Sequence, residues 1–314
     1  MYTYILRRLL LFIPVLFGVT VFVFLVMNII PGDIASIILG TEATPELKEQ
    51  LRQEFGLNLP LYQQYWNWIS GVFVGDFGNS LRTGAPILPE MLNRFSLTFE
   101  LTIFAAIISW MIAIPMGILA AVKRNTKGDI GIRFVSLLGV SIPNFALATL
   151  LILILSLFFN YYPPVGYVGF LEDPRRNLEI LLIPAIVLGT SMAGSLMRMT
   201  RSSILEILGQ DFIRTAQAKG ISQKMVLFKH ALRNAIIPVL TIIGMQIGYL
   251  LGGTIIVEQI FSLPGLGQMV LTGINQRDFP VVQGTILFIA TIFVTVNLIV
   301  DILYSYLDPR ISYD

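Results

Sequence analysis

Six apolar runs constrain this chain more than any other feature. They cover residues 9–30, 97–122, 134–159, 178–197, 235–257 and 281–303. Each approaches or exceeds the ~20 residues that an α-helix needs to cross the hydrocarbon of a bilayer. Backbone N–H and C=O groups in hydrocarbon have only one another as partners, so such runs fold as helices. Composition agrees: 55% of residues are hydrophobic and only 13% charged, with a mean hydropathy of +0.78. A soluble domain carries about 25% charged residues. The expected fold class is an all-α membrane protein with six transmembrane helices, forming one transmembrane domain over 1–314.

Charge placement orients these spans. The segments that share a side with the N-terminus hold 14 of the 21 Lys and Arg. The positive-inside rule therefore predicts a multi-pass protein of the cytoplasmic (inner) membrane with both termini in the cytoplasm. The first run is longer than a signal-peptide core and lacks a small-x-small cleavage site, so it is expected to remain as an anchor.

The long loop after the first span, residues 31–96, is expected on the outer face. In it Tyr62, Trp66, Ile69 and Phe73 recur at helical spacing beside Trp68. This predicts an amphipathic helix at the membrane interface, which serves as a simple anchor or as a docking platform. Pro143-Asn144 predicts a kink in the third span. Gly244, Gly248 and Gly252 lie on one face of the fifth span, where another helix can approach closely. The partner helix is left open between this chain and another. Leu263-Pro264-Gly265-Leu266-Gly267 must turn sharply. Leu266, Met269, Val270 and Ile274 then form the apolar face of a short helix. Asp301, near the inner end of the last span, is expected to make a helix-helix pair or a snorkelling contact. Gln246 and Tyr249 are the candidate lining of a translocation path.

Several chemistries lack their residues. There is no Cys, and the single histidine is His230. Gly-Lys occurs nowhere, so there is no G-x-x-x-x-G-K-[ST] phosphate loop. Glu100, Glu179 and Asp301 all lie near span ends and form no intramembrane pair. No catalytic residue, cofactor site or metal site is expected in this chain. A self-sufficient channel or an ion-coupled carrier, the rival class, commonly keeps ionisable groups or broken helices near the midplane.

One polar, basic stretch stands out, residues 201–234, on the expected cytoplasmic side. Asp211 is placed to cap a helix, with Phe212, Ile213 and Ala216 on one face. Gly220 fits a helix stop and Ser222 a second cap. A rigid helix with small and apolar residues in an aqueous loop is a candidate handle for another protein.

Arg214-Thr215-Ala216, three residues and then Gly220, resembles the EAA-x3-G loop of ABC importer permeases. DFIRTAQAKGIS…VLFKHALRNAIIP is similar to the form in the dipeptide/oligopeptide/nickel type. Arg214 stands in place of the general Glu, as in that subfamily. PGD at 31–33, GDFGNSLRTGAPILPE, SIPNFALA, EQIFSLPGLGQ, RDFPVVQGTIL and the DPRIS ending resemble further blocks of its B-type permease. The resemblance implies an importer for di- or oligopeptides or, alternatively, for nickel or a metal chelate. It implies a second, C-type permease, two cytoplasmic ATPases that hold ATP and Mg, and an outer solute-binding protein, with no nucleic acid. Asp211, Arg214, Thr215, Ala216, Ala218, Lys219, Gly220 and Ser222 would then lie in or beside the ATPase-coupling helix.

Overall fold

A computed structural model describes residues 2–29 and 44–307. The PGD block and the DPRIS ending lie outside the described residues. In order, the helices are α1 (Tyr2–Ile29), α2 (Pro45–Glu54), α3 (Leu61–Phe73), α4 (Ile87–Val122), α5 (Lys127–Ser141) and α6 (Asn144–Phe159). There follow α7 (Pro174–Leu208), α8 (Asp211–Ala218), α9 (Gln223–Met225), a π-helical turn (Val226–Ala231) and α10 (Leu232–Gly253). The chain closes with α11 (Ile255–Ile260), α12 (Leu266–Gln276) and α13 (Phe279–Leu307). No strand occurs among the described residues, and the all-α expectation holds.

Five helical segments are long and apolar enough to cross a membrane, and six if α5 and α6 together count as one. That pair corrects the expected kink. The axis turns by 101° between Ser141 and Asn144, so the third run is two helices and not one kinked helix. The cause is local. Proline disfavours the helical region for the residue before it. Ile142 is accordingly extended (ψ 118°), and Pro143 precedes α6 with ψ 142°.

The centre of the body is α7. Asp173 caps it by accepting from Arg176 N at 3.0 Å, and Pro174 occupies its first turn. Two-thirds of its apolar window (67%) is buried inside the chain, against 11% for α13. Small residues make this possible. A Cβ at Gly194 would lie 2.5 Å from Ser136 O of α5, and one at Gly189 would lie 2.7 Å from Ala105 O of α4. Leu97, Leu101 and Ala105 of α4 pack with Leu181, Ala185 and Leu188 of α7 in the largest core cluster. At the periphery α1 joins α13 through an ion pair, Arg8 Nη1 to Asp301 Oδ2 at 2.8 Å. Of the two contacts expected for Asp301, this is the helix-helix pair.

The helix expected around residues 62–73 forms as α3, but with a different inner face. Tyr65, Trp68 and Ile69 turn toward α1, where Tyr65 Oη shares a 2.8 Å hydrogen bond with Thr20 Oγ1 and Trp68 stacks on Phe24. Tyr62, Trp66 and Phe73 are exposed.

The end of the molecule remote from α8 is closed by two buried carboxylates. Glu258, fully buried, accepts from Thr98 Oγ1 (2.9 Å), Thr254 Oγ1 (2.7 Å) and Gln268 N (2.9 Å). Leu266 N in turn donates to Thr98 Oγ1 at 3.0 Å. Burial pushes the Glu258 pKa up, and hydrogen bonds from Thr254, Gln268, Thr98 and Gly267 oppose that shift. Gly265 and Gly267 are needed because a Cβ at either would meet the Glu258 carboxylate. The Pro-Gly turn thus wraps a carboxylate and starts α12. Leu266, Met269 and Val270 are buried as expected, whereas Ile274 is exposed. Asp278 accepts from Ser80 Oγ (2.5 Å) and Leu81 N (3.2 Å), and Arg82 donates to Gln276 O (3.1 and 3.0 Å). These contacts bolt the first long loop to the entrance of α13.

Candidate functional site: a projecting element and a membrane cavity

The projecting element begins where α7 ends. Gln210, not Asp211, occupies the N-cap position of α8, and no side chain caps it. Asp211 instead lies in the first turn, where a carboxylate complements the helix dipole, and pairs with Arg214 at 3.4 Å. Thr215 Oγ1 donates to Asp211 O at 3.0 Å. Gly220 ends the turn after α8 with φ +77°, a conformation glycine adopts without cost. Ser222 occupies the N-cap position of α9 but makes no side-chain cap bond. The π turn then leads into α10.

Burial sorts the residues of this element into two sets. Ile213 and Ala216 face inward and form a small core with Val226 and Ala231, edged by Ile207, Leu208 and Ile221. Ala216, expected on an outward docking face, is therefore part of the element's own packing. Phe212 parts from that face and is exposed, together with Met225 and Phe228. Arg214, Thr215, Ala218, Lys219, Gly220, Ser222, Lys224 and Lys229 are also exposed. The outer surface is thus an aromatic and thioether patch among basic side chains. The sequence contained a signal for it. Residues 213 and 216 are three positions apart and share a face, whereas 212 is one position before 213 and points ~100° away from it.

The element is wired to the body by a group that the sequence reading passed over. Asp129 in the first turn of α5 is fully buried. It accepts from Arg201 Nε and Nη2, both at 2.8 Å, and from Asn125 N at 3.0 Å. Arg133 Nε lies 3.3 Å away. Such a bidentate Arg–carboxylate pair fixes orientation as well as distance. It clamps the α4–α5 loop to α7 as that helix approaches α8.

Gln246 and Tyr249 lie in the wall of one cavity of about 680 Å³, which is open to the surface. Its wall is drawn from α5, α7, α10 and α13. Gln246 Nε2 donates to Met192 O at 3.1 Å, and its Oε1 is buried without a partner. Tyr249 is two-thirds exposed. The glycine face of α10 lies against α13 of the same chain. A Cβ at Gly244 would collide with Val300, one at Gly248 would sit 3.1 Å from the Phe293 ring, and one at Gly252 would sit 3.7 Å from Ile289. The close approach predicted for these glycines is therefore internal. It sets the seat of Phe293 and Asn297, two further cavity residues.

The described residues thus combine helices long and apolar enough to span a membrane, a cavity open to the surface and a compact amphipathic projection. Residues 113–313 match the family described as binding-protein-dependent transport system inner membrane component. Residues 1–102 match its companion, binding-protein-dependent transport system membrane component, N-terminal. The chain belongs to this family of membrane transport components. It is 44% identical to the dipeptide transport system permease protein of Alkalihalophilus pseudofirmus, with 100% of each chain covered. It is 41% identical, again with 100% of both covered, to the glutathione transport system permease protein of Escherichia coli strain K12. Among solved structures it is similar to the inward-facing MetNI methionine ABC transporter, with a TM-score of 0.59 and 16% identity over 71% of this chain and 98% of that one. The fold is thus that of an ABC transporter membrane subunit.

Proposed function

We propose that this chain is the permease subunit of an ATP-driven, binding-protein-dependent importer of di- or oligopeptides. Full-length similarity to permeases named for dipeptide and glutathione transport supports the peptide reading. The observation that carries the mechanism is the projection. Its inner residues Ile213, Ala216, Val226 and Ala231 make it a rigid body, and its outer Phe212, Met225 and Phe228 are uncovered.

In this reading the outer patch seats in a groove of a cytoplasmic ATPase, and the Asp129–Arg201 clamp passes the ATPase movement to α7 and α5. A rigid helix transmits such a displacement, and a floppy loop absorbs it. ATP and Mg are held by two ATPase chains, hydrolysis occurs there, and this chain has no catalytic role. A C-type permease completes the path along the cavity that holds Gln246 and Tyr249. A solute-binding protein delivers peptide to the far end. Both termini and α8 lie in the cytoplasm.

The test is to reconstitute the complex in proteoliposomes and add binding protein, empty or loaded with peptide. Peptide-loaded protein is expected to raise ATP hydrolysis and drive uptake. Uptake that needs neither nucleotide nor partner subunits would overturn the reading.

A further inference from the structure

The side of α7 that borders the cavity carries a polar stripe. Ser191, Ser195, Arg198 and Ser202 recur at helical spacing, so they share one face. Ser191 and Ser195 line the cavity, and neither is buried. Arg198 follows about one turn nearer α8 and is exposed. It stands outside the lining, at the rim. There its Nη2 donates to Ser195 Oγ at 3.5 Å and its Nη1 to Ser136 O of α5 at 3.4 Å. The lining itself holds no Asp, Glu, Lys, Arg or His, so charge first appears at this rim.

Three arginines gather where α5 meets α7, and Asp129 serves two of them. It accepts from Arg201 and lies 3.3 Å from Arg133 Nε. Among the described residues no carboxylate pairs with Arg198, whose two acceptors are uncharged and distant. Arg198 also precedes Arg201 by three residues, which sets it about 4.5 Å deeper along α7. A cation inside a membrane segment is costly unless something compensates it. A lipid phosphate would do so for a snorkelling side chain, but this guanidinium is turned to a hydroxyl of the cavity wall.

We infer that Arg198 is the station at which the carboxylate of the passing peptide is held, at the mouth of the cavity on the side of α8. The inference rests on the reading of the cavity as part of a peptide path. Its chemistry follows from what peptides share. An unmodified peptide ends in a carboxylate whatever its side chains. A guanidinium meets a carboxylate with a planar fork of N–H donors, and the substrate brings the charge that Arg198 lacks. Ser195 Oγ and Ser136 O engage two of those donors and steady the side chain from two helices, and the rest are left for a ligand.

The test uses the assembled importer in proteoliposomes and two probes, Ala-Ala-Ala and its C-terminal amide. Each variant is compared with wild type under the same binding protein, so the preference of that protein cancels. Arg198→Gln should lower the acid-to-amide uptake ratio by ~10-fold or more. Arg198→Lys keeps the charge and loses the fork, and should lower it by less. A ratio that Arg198→Gln leaves unchanged would overturn the inference. So would a loss that falls equally on acid and amide and appears only in vesicles with anionic phospholipid, since that assigns the guanidinium to a headgroup.

A second readout needs no binding protein. Ser191→Cys places a thiol in the wall without touching the Arg198 contacts, in a chain with no other Cys. Added directly to the purified complex, the acid should slow labelling of that thiol more than the amide does, and Arg198→Gln should erase the difference. Equal protection by acid and amide sinks the station and keeps the path. A thiol that neither peptide protects, in a complex that still turns over, sinks the path itself.

Discussion

The two ends of this molecule are built on opposite principles. At the far end, Glu258 and Asp278 are buried, and each has a hydroxyl partner distant in sequence, Thr98 for Glu258 and Ser80 for Asp278. At the near end, α8 and the π turn enclose a core of four buried side chains and leave Phe212, Met225 and Phe228 uncovered. At the far end the buried carboxylates find their partners within one chain. The near end is rigid inside and unfinished outside, which is the form of a part that another protein covers.

The comparison breaks most readily at Glu258. Glu258→Ala removes the acceptor for Thr98, Thr254 and Gln268 N and leaves buried donors unpaired. It should cost ~3–5 kcal/mol, read as loss of folded protein or a large fall in Tm in detergent. A wild-type Tm would show that the far end is not held by its carboxylate.

At the near end the expected loss is in assembly. Phe228→Asp should leave insertion and Tm intact while weakening ATPase binding by ~2–4 kcal/mol, on the scale of an interface hot spot. Co-purification from solubilised membranes reads it. A fall in Tm with binding retained would place Phe228 in the fold and not in a contact.

Ala216 and Ala218 sharpen the boundary inside the element. Ala216→Asp buries a carboxylate beside Ile213 and Val226 and should destabilise the element by ~2–3 kcal/mol. Ala218→Asp, on the exposed side, should change stability by less than ~0.5 kcal/mol. Limited proteolysis at residues 209–222 separates them. Equal sensitivity would contradict the inward packing of Ala216.

The smallest effect is expected where close packing meets the cavity. Gly248→Ala places a Cβ 3.1 Å from the Phe293 ring, a flexible partner able to shift. It should cost ~1 kcal/mol or less, and Gly244→Ala against branched Val300 should cost more. Thermal unfolding of the pair reads the order, and the reverse order would count against the α10–α13 contact.

The spans were legible because a bilayer leaves a 20-residue apolar run little choice of structure. The break at Ile142-Pro143 was not, because the same dipeptide serves as a kink within a helix or as the start of a new one. The inward turn of Ala216 was hidden for a different reason. Its partners Val226 and Ala231 lie beyond Gly220 in a π turn, whose register no α-helical period predicts. The burial of Glu258 left no trace in the local sequence, since its partner Thr98 is 160 residues away. The roles of Gly244, Gly248 and Gly252 were visible as close approach, and the identity of the facing helix was not.

Cross-linking tests the central claim most directly, because the chain is free of Cys. Single variants Phe228→Cys, Ile213→Cys and Tyr62→Cys sample the uncovered patch, the inner core and the remote helix α3. In native membranes containing all subunits, a short bis-maleimide should join the ATPase to position 228 and to neither of the others. No adduct at 228, or an equal adduct at 62, would contradict the assignment of the projecting element as the point where the ATPase attaches.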